Sequence, residues 1–107
     1  MKIINTSPVL LTIVSNLPKE LSGVEKKKVN SDLKKLATWI DKQEKIQLLR
    51  FSSDTVYSPE KKPVLFEVNL EIETKTTNYF ASNKDVDFFE AIDEVIEQVK
   101  KQTRRSN

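Results

Sequence analysis

Nine basic side chains lie in two stretches of this 107-residue chain, at spacings that could hold a polyanion. Lys26, Lys27, Lys28, Lys34 and Lys35 form one group; Lys100, Lys101, Arg104 and Arg105 form the other. Ammonium and guanidinium groups pair with phosphates, and a groove lined by them tracks a nucleic-acid backbone. The second stretch is divided by sign. From Asp85 to Glu97 it carries six acids and no base, and from Lys100 to Arg105 four bases and no acid. Part of that division is intrinsic to a helix. Acids near the N-terminus and bases near the C-terminus each contribute about 0.3–1 kcal/mol against the helix dipole, and Glu97–Lys101 has the favourable i,i+4 order. Dipole matching alone does not call for four bases within six residues, nor for a lysine-rich face elsewhere in the chain.

The residues that are missing narrow the chemistry further. There is no cysteine, so disulfides and thiolate metal sites are excluded, and no histidine, which removes the commonest general base and metal ligand. A single glycine, Gly23, is incompatible with a phosphate-cradling glycine loop. Asp93 and Glu97 could share a metal, but without histidine or a supporting loop they read as solvated surface. Trp39 and Tyr79 could stack on bases, though packing at helix–sheet edges is the simpler reading. With 18 bases against 16 acids, a net charge of +2 and a pI near 8.8, overall charge says little about partners, and the placement of charge says more. No apolar run approaches the roughly 20 residues of a membrane span, and no secretion signal is evident. The expectation is a cytoplasmic binding protein, without catalysis, cofactor or small-molecule substrate.

The elements that must position the bases follow from periodicity. Residues 1–8 read as an N-terminal extension and 9–107 as one domain. VLLTIV (9–14) is apolar and partly β-branched, a buried strand broken by Asn16-Leu17-Pro18. Ser22 and Glu25 have capping-box spacing, and Val29, Leu33, Leu36 and Ile40 form the apolar stripe of a helix over about 22–42. At about 100° per residue, Lys27, Lys28, Lys34, Lys35, Lys42 and Lys45 fall on the far side, with Glu25, Asp32, Asp41 and Glu44 nearer the flanks. IQLLRFSS (46–53) reads as a second strand, followed by a loop containing Pro59 and Pro63. VLFEVNLEIE (64–73) alternates, with Glu67, Glu71 and Glu73 on its solvent face. NYFAS (78–82) is a fourth strand, and a helix over about 85–103 buries Phe88, Phe89, Ile92, Val95, Ile96 and Val99. The order β-α-β-β-β-α predicts an α+β two-layer sandwich, two helices on one face of a four-stranded sheet. An RNA-binding sheet of the stacking kind needs aromatics and bases on its open face. Here a phosphate backbone would meet glutamates, so RNA is expected at the helices, whose basic groups an antiparallel or oblique packing could align along one groove.

The last helix, VDFFEAIDEVIEQVKKQ, resembles that of the ribosome hibernation promoting factors, a family that includes the ribosome-associated inhibitor A proteins. Their helix opens with an acid and two bulky apolar residues and runs to Ala-Ile-Asp, here Asp87-Phe88-Phe89-Glu90-Ala91-Ile92-Asp93. The first helix is similar at its entry, Leu21-Ser22-Gly23, and at its end, Lys35-Leu36-Ala37-Thr38-Trp39-Ile40-Asp41. The register covers residues 10 to 105 almost without gaps, and the family topology is also β-α-β-β-β-α. Gly23 stands where proline is usual, Glu90 where alanine is frequent, Gln98 where lysine is common and Thr103 where leucine is common.

The resemblance implies a factor that binds the small ribosomal subunit in the channel used by messenger RNA and by transfer RNA at the A and P sites. It would block translation and protect idle ribosomes. It also implies contact with ribosomal RNA through the helices. By register Lys26, Lys35, Lys101, Arg104 and Arg105 carry over, while Lys27, Lys28, Lys34 and Lys100 are additional bases. Long members carry a further ribosome-dimerising domain; this chain ends after the second helix, so a monomer off the ribosome is expected, with any pairing of ribosomes left to another factor. The alternatives are a general double-stranded-RNA-binding module and a protein-interaction domain with no RNA role.

Overall fold

The computed structural model describes residues 11–105, with side chains through Arg104. The expected extension at 1–8, and Val9 and Leu10 of the first strand, lie outside the described residues. The order is β1 (Leu11–Ser15), α1 (Gly23–Asp41), β2 (Ile46–Tyr57), β3 (Pro63–Thr74), β4 (Asn78–Asp85) and α2 (Phe88–Arg105). The sheet order is β1-β2-β3-β4, with β1 parallel to β2 across α1 and the other neighbours antiparallel. This is the expected α+β sandwich.

Alternation builds the single core. Leu49 and Phe51 of β2, Val68, Leu70 and Ile72 of β3, and Tyr79 and Ala81 of β4 point to one face. Register aligns them in rows, Phe51 with Leu70 with Ala81, and Leu49 with Ile72 with Tyr79. Val29, Leu33, Leu36 and Ile40 of α1 and Phe88, Ile92, Val95 and Val99 of α2 close over that face in one contiguous cluster. Phe88 meets both Phe51 and Phe66 edge-on, with centroids at 6.4 and 5.6 Å. Each buried aliphatic or aromatic side chain contributes about 1.5–3 kcal/mol.

Three boundaries differ from the sequence expectation. β2 runs on to Tyr57, because main-chain pairing with β3 continues through Ser52–Thr55 although those side chains are polar. The hairpin turns at Ser58–Lys62, where Ser58 N–H donates to Lys62 O at 2.8 Å and Lys61 takes a left-handed φ of 65°. β4 extends to Asp85, so α2 starts later than expected. Its cap is Asp87, whose Oδ1 accepts from Phe89 N–H at 2.9 Å and Glu90 N–H at 3.2 Å. The capping box of α1 is present: Ser22 Oγ accepts from Glu25 N–H at 3.1 Å, and Ser22 N–H donates to Glu25 Oε1 at 2.8 Å. α1 ends at Asp41, so Lys42 is its C-cap, and Glu44 and Lys45 lie in the following loop rather than on the helix.

Candidate nucleic-acid interface

The two helices run side by side in the same direction. Lys28 Nζ of α1 lies 5.5 Å over the Phe89 ring of α2, and eleven residues further along each helix Lys100 Nζ lies 5.5 Å over the Trp39 ring. Between these contacts Asp32, Lys35 and Leu36 face Asp93 and Ile96 across a shared groove. The helices are thus parallel, rather than in the antiparallel or oblique packing that could have aligned the basic groups along one groove. The cause is topological: α1 returns the chain from β1 to a parallel β2, and α2 returns it from β4, which runs in the same sense as β2.

Parallel packing puts both C-termini at one end of the helical layer, and most of the bases with them. Lys34, Lys35 and Lys42 line a groove on α1 with Ser31, Thr38 and Trp39. Lys100 enters the adjoining interhelical groove, and Lys101 and Arg104 are exposed on the last turns of α2. Among the described residues none of these six bases is in an ion pair. Arg105 closes α2, and its side chain lies outside the described residues. Like charges at one end of the layer repel one another, and a bound polyanion relieves that repulsion.

The remaining predicted bases lie at the other end. Lys26 and Lys27 are exposed in the first turns of α1. Lys27 is eight residues from Lys35, about 12 Å along the axis. Lys28 is committed locally, 3.3 Å from Asp32 Oδ2 as well as against Phe89. The cleft at this end is lined by Glu20, Glu25 and Asp87 beside Phe66, Val86 and Phe89. The eight predicted bases whose side chains are described are thus divided, with Lys34, Lys35, Lys100, Lys101 and Arg104 toward the C-terminal end of the helical layer and Lys26, Lys27 and Lys28 toward the other.

The open sheet face does not compete for phosphate. Glu67, Glu71 and Glu73 lie on it, and Arg50 is neutralised by Glu71 at 2.9 Å. Tyr79 cannot stack on a base: its ring is buried in the core and its hydroxyl donates to Glu44 Oε2 at 2.7 Å. Asp93 and Glu97 are both exposed, Asp93 at the interhelical groove.

Two features escaped the sequence reading. Lys42 falls on the lysine face by helical periodicity, yet only the groove shows that it shares a site with Lys34 and Lys35. Glu44 is a hub between the α1–β2 loop and the β3–β4 turn, accepting from Tyr79, from Thr74 Oγ1 at 2.6 Å and from the Thr76 hydroxyl. The hydroxyls of Thr74, Thr76 and Tyr79 stabilise its carboxylate and lower its pKa to about 2. Nothing local in the sequence marks Glu44, because its partners are about 30 residues away.

The departures noted at Gln98 and Thr103 also have structural uses. Gln98 donates to Ser82 O at 3.3 Å and Gln102 to Phe80 O at 2.8 Å, satisfying carbonyls on the edge strand β4. Thr103 is buried, and its hydroxyl bonds back to Lys100 O at 2.7 Å.

No protein-family model matches the sequence, and no curated protein gives a significant match. Solved structures do match in fold. A ribosomal subunit interface protein from Coxiella burnetii superposes with a TM-score of 0.62 at 9% identity, covering 91% of this chain and 94% of that one. The N-terminal domain of Protein Y from Thermus thermophilus superposes with a TM-score of 0.57 at 16% identity, covering 95% of this chain and all of that domain. The β-α-β-β-β-α fold expected from the two helices and the strands between them is thus shared with both structures. At these identities what the chain demonstrably shares with them is the fold, over nearly its whole length.

Proposed function

We propose that this chain is a hibernation factor, which binds the small ribosomal subunit in the channel of messenger and transfer RNA and holds the ribosome idle. The observation that carries the reading is the parallel helix pair, which gathers Lys34, Lys35, Lys42, Lys100, Lys101 and Arg104 at one end of a domain whose other broad face is acidic. The two structural neighbours, one called a ribosomal subunit interface protein and the other Protein Y, support the choice of partner. The mechanism is occupancy. A rigid sandwich fills the channel, and its bases pair with phosphates of ribosomal RNA. Phosphate contacts fix position with little reading of base sequence, and the shape of the ribosome supplies specificity. No catalysis and no cofactor is needed, and the place of action is the cytoplasm, where ribosomes are.

Sedimentation of the purified chain with isolated small subunits, over a salt series and with free duplex RNA as competitor, tests the proposal. Co-sedimentation that falls steeply with salt and resists the duplex is expected. Displacement by the duplex would make the chain a general binder of A-form RNA, and no co-sedimentation at low salt would remove the RNA role.

A further inference from the structure

Trp39 is the single tryptophan of the chain and stands on the ridge between the two grooves of the basic end. It is half-buried and packed against the core, and Lys100 Nζ from α2 lies over its ring, 5.5 Å from the centroid. Its position is therefore fixed before any ligand arrives. The outer groove, about 490 Å³, has Lys34, Lys35 and Lys42 around the indole and no carboxylate in its lining. That volume falls within the range of small-molecule sites. In the inner groove Asp32 is already paired with Lys28.

The other aromatics lack this setting. Tyr79 is consumed by the core and Glu44. Phe80, 59% exposed, lies on the open sheet face opposite Glu71. A fixed aromatic plate inside a cluster of unpaired cations is the physical combination that captures an unpaired nucleotide: the base stacks on the ring and its phosphates lie among the ammonium groups.

We propose that Trp39 is a nucleobase-stacking site, at which an unstacked base of single-stranded RNA takes the place of the Lys100 ammonium on the indole, with its flanking phosphates against Lys34, Lys35 and Lys42. This deepens the RNA-binding reading and rests on it for its biological partner, but the site itself can be tested without ribosomes. Trp39 is its own reporter. An unstructured, purine-rich RNA oligonucleotide should quench tryptophan emission of the intact chain, while an abasic chain of the same length and phosphate number should bind with a similar salt dependence and leave the emission unchanged. Trp39→Leu should weaken oligonucleotide binding roughly tenfold at unchanged salt slope, and Trp39→Phe should restore most of it. Because the comparison of the two oligonucleotides uses the wild-type chain, it survives any folding defect of the variants.

Equal quenching by both oligonucleotides, or by neither, would overturn the stacking site. Its failure is separable from failure of the proposed function. Base-dependent quenching without subunit binding leaves the site and removes the ribosome. Subunit binding that Trp39→Leu does not weaken, with no base-dependent quenching, leaves the ribosome and removes the site.

Discussion

The two ends of the helical layer have similar formal ingredients and opposite characters. At the N-terminal end, charged groups are used within the fold: Ser22 and Glu25 close a capping box, Asp87 caps α2, and Lys28 is divided between Asp32 and Phe89. The cleft there is lined by three acids. At the C-terminal end Lys34, Lys35, Lys42 and Lys100 share grooves with Trp39, Lys101 and Arg104 are exposed on the same end of α2, and none of the six is in an ion pair among the described residues. A charge spent on a cap or a neighbour has already lost its water and found its partner. A charge left in solvent among like charges is available to a ligand, and binding that ligand lowers the repulsion among them. Counting lysines along the chain therefore overstates the site, while asking which lysines lack a carboxylate partner sharpens it.

The largest expected effect comes from breaking that contrast directly. Lys35→Glu combined with Lys101→Glu should weaken small-subunit binding at least tenfold, on the order of 1.4 kcal/mol or more, without unfolding the domain. Lys26→Glu combined with Lys27→Glu changes the same number of charges at the other end and should cost less than about threefold by the same relation. Equal losses in the two double variants, measured by co-sedimentation at one salt concentration, would erase the distinction between the ends.

A second test concerns the scaffold beneath the basic end. Glu44 has its pKa lowered in the fold from an ordinary 4.5 to about 2, so the native state holds its proton less tightly than the unfolded chain does. Its contribution to stability is fully present above about pH 4.5 and is lost as the pH falls toward 2. Glu44→Gln should remove that share of the acid sensitivity: the variant is less stable at neutral pH, and its difference from the wild type shrinks across this window. A difference that stays constant from pH 6 to pH 2.5 in denaturant titrations would contradict the hub.

Smaller effects are expected at the N-terminal end, and on stability alone. Asp87→Ala removes the acceptor for two amides at the start of α2 and should cost about 1 kcal/mol in chemical denaturation. Subunit affinity of the folded protein should be unchanged, and a loss of affinity would show that this end takes part in binding. Gly23→Pro should stabilise by about 0.4–1 kcal/mol. Gly23 is the first helical residue, where proline fits, and a Cβ there meets nothing within 4 Å. A destabilised proline variant would mean that the entry to α1 is less open than it looks.

Much of the fold was legible because its signals are local. The 64–73 alternation, the two apolar stripes and the Ser22–Glu25 box each specify an element from within a dozen residues, and the observed elements carry them. The strand ends were less legible. Asp54 and Thr55 have no apolar pattern, yet main-chain pairing extends β2 through them to Tyr57, and Asp85 and Asp87 look alike until one ends a strand and the other caps a helix. The relative direction of the helices belongs to the sheet's connectivity, and it was this, rather than any motif, that divided the predicted bases between the two ends of the helical layer. The roles of Lys42 and Glu44 depended on neighbours across that packing.

The proposed binding mode requires the C-terminal end of the helical layer to meet RNA. A photoreactive side chain placed at position 101, and in a separate protein at position 27, can be irradiated on isolated small subunits and the adducts mapped. Adducts to ribosomal RNA from position 101, with few from position 27, are the expected result. Adducts from position 27 with none from position 101 would contradict the account and turn the domain around on its partner.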